Sequence, residues 1–173
     1  PAYVGRAKDV HALEVLRERG ACPAQEGELK EVYAKIKTIE GFENIIPRKV
    51  GIGSTIFANK PGDGSAREQA ASCQRVLGAL GNIAIEYATK RYRSNLINWG
   101  MLPFIIEDGS YLTLGDYIFI PAVRQAIENH SPNIKAFVIG DVIKEISLSL
   151  GQLTGDEEKI LLDGCLINFY QEK

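Results

Sequence analysis

The chain has 173 residues, of which 45% are apolar and 24% charged, and its formal net charge is −2. Those proportions match an ordinary globular domain, and the charge leaves no overall basic field to hold nucleic acid by counterion release. The longest stretch without a formal charge, Ser94 to Ile106, is too short to cross a bilayer as a helix. A single domain over residues 1–173 is expected, with neither a membrane nor nucleic acid as partner.

Residues 1–45 read as helical. Val10, Leu13 and Leu16 form one apolar stripe, and Leu29, Val32, Tyr33, Ile36 and Ile39 a second, with a break between Gly20 and Gly27. Pro47 ends this region, and Val50 to Phe57 then alternate as a strand. Gly51 and Gly53 fall on one face of it, which implies close approach by another backbone or a ligand. Asn59 to Gly64 is a loop by composition. The spacing of Ala66, Ala70, Cys73, Leu77 and Leu80 predicts a helix, Asn82–Tyr87 a strand, Lys90–Asn98 a helix and Leu102–Ile106 a strand. That order argues for a parallel β-α-β core.

Further on, Ile134–Ile139 and Val142–Leu148 flank Gly140-Asp141, which reads as a two-residue hairpin. A C-terminal helix should start at Thr154, with Glu157 completing a capping box. The expected fold class is α/β, with a parallel core and an added antiparallel layer.

The three cysteines, Cys22, Cys73 and Cys165, are widely separated and form no CxxC pair, so they read as neither a zinc site nor an iron–sulfur ligand set. Scattered cysteines without a secretory signal point to a reducing cytoplasm. The chain begins at Pro1 and its only methionine is Met101, as expected of a piece cut from a longer protein.

The segment richest in chemistry is Gly62-Asp63-Gly64-Ser65-Ala66-Arg67-Glu68. A glycine-rich loop entering a helix directs free N–H groups and the positive end of the helix dipole at one spot, so an anion should bind there. Arg67 is poorly placed for that dipole but suited to grip a carboxylate with two parallel bonds. The plainer reading makes Ser65 an N-cap, Glu68 its capping-box partner and Arg67 a solvated side chain. Nucleotide motifs fail: Ile56 occupies the third glycine position after Gly51-Ile52-Gly53, and Lys60 is followed by Pro61 rather than a hydroxyl residue. His11 and His130 have no sequence neighbours that would form a hydrolase triad. Lys90, Arg91 and Arg93 read either as a solvated helix face or as a basic rim attracting a polyanionic acid.

The run Gly62–Ala70 resembles the Gly-x-Gly-Ser-Ser-Arg-Glu-His motif in the swivelling C-terminal domain of aconitase-family hydratases, which the small subunit of isopropylmalate isomerase shares. Tyr92–Leu96 and Asn98–Phe104 resemble that family's Asn-Leu…Gly-Leu-Leu-Pro signature. The resemblance covers residues 50–106 and leaves 1–45 unmatched. It implies a swivelling β/β/α three-layer domain of a hydro-lyase that reversibly dehydrates a hydroxy di- or tricarboxylic acid. Ser65 would be the catalytic base, and Gly64, Ala66 and Arg67 would bind substrate. It implies no metal in this chain, and a [4Fe-4S] cluster on missing N-terminal domains or on a large subunit. Two positions depart from the family: Ala66 replaces a serine and Gln69 a histidine, which bears on which acid fits. A separate isomerase-type small subunit and a non-catalytic anion-binding domain are the alternative readings.

Overall fold

The computed structural model describes residues 27–171. The expected stripe of Val10, Leu13 and Leu16, together with His11 and Cys22, lies outside them. The chain is mixed α/β, with one parallel and one antiparallel sheet of three strands each.

The second expected stripe forms α1 (Gly27–Ile36), which buries Leu29, Tyr33 and Ile36. Residues 37–45, expected to be helical, are turns instead, and Ile39 packs against this cluster from outside the helix. A 3₁₀ turn at Pro47–Lys49 follows, and β1 (Ser54–Ala58) begins later than the alternation predicts. Val50 and Ile52 pack instead against the cluster that contains α1. Close approach is real at Gly53, where an added Cβ would clash with Leu80 Cγ and lie 2.8 Å from Gly78 O. At Gly51 the nearest atom is an ordinary 3.8 Å away. The neighbour is therefore the protein's own chain.

Helix α2 (Arg67–Val76) stops short of the predicted end because Gly78, at φ 83°, takes the left-handed turn after the Leu77 cap. Leu80 thus belongs to β2 (Ala79–Ala84), and that strand lies earlier than Asn82–Tyr87. Helix α3 (Lys90–Asn98) and strand β3 (Leu102–Ile105) match their sequence patterns closely. Strands β1, β2 and β3 pair in that order, all parallel.

The antiparallel sheet contains β4 (Tyr117–Phe119), β5 (Ile134–Ile139) and β6 (Ile143–Leu148), with α4 (Val123–Glu128) between the first two. Pairing of Ile139 with Ile143 makes the hairpin loop Gly140-Asp141-Val142, one residue longer than the expected pair. At the C-terminus the Thr154–Glu157 capping box forms as expected and opens α5 (Gly155–Asp163). Gly164, at φ 94°, divides the single expected helix into α5 and α6 (Leu166–Gln171).

Alternation along β5 explains the layering. Ile134, Ala136 and Val138 join Ile83 and Phe104 of the parallel sheet in one buried cluster, whereas Phe137 and Ile139 face α1. Helices α2 and α3 cover the other face of the parallel sheet through Ala71, Tyr92 and Leu96. The layers run helices, parallel sheet, antiparallel sheet, helix. An isolated bridge between Ile105 and Ser149 ties the two sheets at one edge.

Tyr87 secures the end of β2 to β3, its hydroxyl lying 3.2 Å from Asn82 O and 3.1 Å from Phe104 O. Burial pushes this phenol well above its ordinary value of 10.0, with the neighbouring Tyr92 adding to the shift. A raised folded-state value gives stability that is complete below the unfolded-state value and is lost as pH climbs beyond it. Tyr87→Phe should therefore cost about 1 kcal/mol near neutrality. It should also flatten the loss of stability above about pH 10. Urea midpoints of both proteins across the alkaline range check this, and parallel pH curves would refute it.

Candidate functional site

The start of α2 is held by hydrogen bonds to one carbonyl and by packing beneath one glycine. Gly62 has φ 94°, and an added Cβ would lie 2.5 Å from the Tyr92 ring. Its carbonyl accepts from Arg67 Nε and from Thr89 Oγ1, both at 3.2 Å. Thr89 is also the N-cap of α3, accepting the Tyr92 N–H at 3.2 Å. A backbone bond from Ala88 N to Pro61 O, 2.9 Å long, completes the attachment of the loop to the start of α3.

Tyr92 supports the loop from below. It is 2% exposed, and its hydroxyl receives Gln74 Nε2 at 2.9 Å and Asn82 Nδ2 at 3.0 Å. A buried polar anchor with several partners costs more to move than a ring held by packing alone.

Ser65 lies two residues before the first helical residue and is exposed, with no hydrogen bond to another described residue. The N-cap of α2 is Ala66, which makes no side-chain cap bond of its own. The expected Ser65–Glu68 capping box is therefore absent. Glu68 is engaged elsewhere, its Oε1 accepting the Trp99 indole N–H at 2.6 Å. Asn95 meets Glu68 as well. In the amide orientation that satisfies its neighbours, its oxygen lies 3.1 Å from Glu68 N, and its nitrogen 3.2 Å from Glu68 Oε2 and 3.3 Å from Arg91 O.

Arg67 is half-buried, and with Nε on Gly62 O its two terminal nitrogens have no partner among the described residues. Gly64 is exposed, with nothing within 4 Å of an added Cβ, so it is Gly62 that the geometry requires. The structure thus brings Gly64, Ser65, Ala66 and Arg67 together at one helix start. The basic cluster divides. Lys90 and Arg91 are exposed, but Arg93 turns inward to Leu150 O (2.9 Å), Gln152 O (3.0 Å) and Glu157 (3.4 Å). His130 pairs with Glu158 at 2.8 Å.

Sequence reasoning did not foresee Thr89, Tyr92, Asn95 and Trp99 as supports of this loop. The threonine directly before a helical pattern was a readable N-cap signal. The other three depend on how two helices cross, which periodicity does not encode.

A cavity of about 640 Å³ opens elsewhere, lined by Lys35, Tyr111, Asp116, Gly140 and Lys144 among others, and by none of residues 62–68. Among the described residues, no three His, Cys, Asp or Glu side chains are grouped to hold a metal ion, and no helix is long and apolar enough to cross a membrane. No family model and no curated protein matches the chain.

Gly62→Ala should destabilise the protein by at least about 1–2 kcal/mol, because the left-handed backbone disfavours a Cβ. The Tyr92 ring adds a steric clash. Gly64→Ala, in open space and without a positive φ, should be neutral or slightly stabilising. Denaturant midpoints of the two variants test the contrast, and equal effects would refute it.

Proposed function

We propose that this chain is the swivelling C-terminal domain of an aconitase-like hydro-lyase, acting on a hydroxy di- or tricarboxylic acid. The reading rests on the resemblance of residues 50–106. One observation carries it further: the two motif segments meet in space, Glu68 of the first bonding Trp99 and Asn95 of the second. In the same place Ser65 is exposed, and the terminal nitrogens of Arg67 have no partner among the described residues.

In this proposal Arg67 grips a substrate carboxylate with its two terminal nitrogens, and the bound acid presents the hydrogen next to that carboxylate to Ser65. A neutral serine is too weak a base for this proton. Ser65 acts as the alkoxide, and the open N–H groups and dipole of α2 lower the cost of that charge, as donors in an oxyanion hole do. The proton ends on Ser65 Oγ, and the electron pair it leaves forms the double bond as the C–OH bond breaks. The departing hydroxide would be taken up by the cluster or an acid on the other domains. The reverse direction returns the proton. The described residues offer no ligand set for an iron–sulfur cluster, which the proposal leaves to other domains or to a large subunit. Ala66 presents a methyl where the family has a hydroxyl, so the acid is held through fewer hydrogen bonds and the range of accepted acids differs.

The second reading, a non-catalytic anion-binding domain, draws on Ala66 and Gln69. Kinetics separate the two. In the complete protein, Ser65→Ala should lower turnover by at least about a hundredfold. Its melting temperature should barely move, because the hydroxyl makes no cap bond. Arg67→Lys keeps the charge but loses the planar fork, so KM should rise as kcat falls. Normal turnover by Ser65→Ala on citrate, isocitrate and isopropylmalate would refute the catalytic assignment.

A further inference from the structure

We propose that Asn95 and Trp99 form a latch on Glu68 that holds its carboxylate against α3 and keeps the start of α2 open to an anion. The inference rests on the anion site proposed above, and it makes Asn95, Trp99 and Glu68 positioning residues of that site.

A glutamate in the first turn of a helix is a built-in competitor for any anion bound there. The helix dipole attracts its carboxylate, which at the second helical position lies next to the terminal N–H groups. Glu68 is also adjacent in sequence to Arg67, whose terminal nitrogens have no partner among the described residues. Neither self-contact forms here. The carboxylate is instead held by Trp99 Nε1 at 2.6 Å and by the Asn95 amide at 3.2 Å. Asn95 and Trp99 lie four residues apart and so share one face of α3. An indole N–H only donates, so it holds an acceptor and cannot exchange roles. Asn95 also places its oxygen 3.1 Å from Glu68 N, which satisfies one amide of the α2 end without using a charge.

The latch makes an epistatic prediction that a packing role does not. Trp99→Phe keeps an aromatic ring but removes the donor, freeing Glu68 to compete. Citrate, titrated calorimetrically into the full-length protein, should bind about two- to fivefold more weakly, the range that one charge at a helix end is worth. Adding Glu68→Gln removes the competing charge and should restore wild-type affinity, although it does not restore the lost indole. Trp99 packs beside the Ala71, Tyr92 and Leu96 cluster. Should the phenylalanine variant fail to fold, half-exposed Asn95→Ala, alone and with Glu68→Gln, should give the same pair of results. Unchanged affinity in the single variant, or no restoration in the double, overturns the latch. Arg67→Lys is run beside them: unchanged citrate affinity in that variant overturns the anion site itself, and the latch with it.

Discussion

The Tyr92 ring is the constraint on which the organisation of the α2 end depends. It occupies the space that a side chain at position 62 would need, so only glycine closes the loop there. Its hydroxyl is fixed from two directions, by Gln74 on α2 and Asn82 on β2. A single buried side chain on α3 therefore joins the loop, the neighbouring helix and the central strand of the parallel sheet. The Gly62 carbonyl, set by this packing, then collects Arg67 and Thr89. The place of the guanidinium follows from a ring more than twenty positions away in the chain.

The core explains why that arrangement is stiff enough to matter. Strand β2 is central in its sheet and carries Ile83 into the cluster shared with the antiparallel layer. Its other face carries Asn82, 1% exposed, toward Tyr92. Alternation along one strand thus couples the sheet-on-sheet core to the polar anchor beneath the loop. Displacing the loop would disturb either a buried hydrogen bond or close-packed apolar side chains, and both are costly.

Legibility in the sequence followed the range of the interactions. Local signals were readable: the Leu29–Ile36 stripe, the Lys90–Asn98 helix and the Thr154–Glu157 capping box each depend on residues within about one or two turns. The α/β class also followed, since alternating strand and helix patterns leave few ways to pair. Misreadings occurred where one glycine decided between continuing and stopping. Periodicity carried Leu80 onto the helix because Gly78 was not read as its stop, and α5 and α6 were read as one because Gly164 was not. Strand β4 and helix α4 are short, with too few residues for a period to show. At the site, the glycine-rich loop and Arg67 were legible, whereas Glu68 was read as a capping partner. Its true partners are on α3, and only the crossing of α2 and α3 brings them within reach.

Local rules are broken at the α2 start in one consistent direction. Alanine is among the poorest N-cap residues, and replacing a good cap by it costs about 0.5–2 kcal/mol. Here Ala66 follows an exposed serine that does not cap, and Glu68, at the second helical position rather than the third, bonds Trp99. Helix α5, by contrast, closes its own end with Thr154 and Glu157. At α2 the stabilisation comes from α3 instead, through the Asn95 amide on Glu68 N and the Trp99 indole on its carboxylate. Among the described residues, support from a neighbouring helix thus stands where a cap from the helix's own side chains would otherwise be.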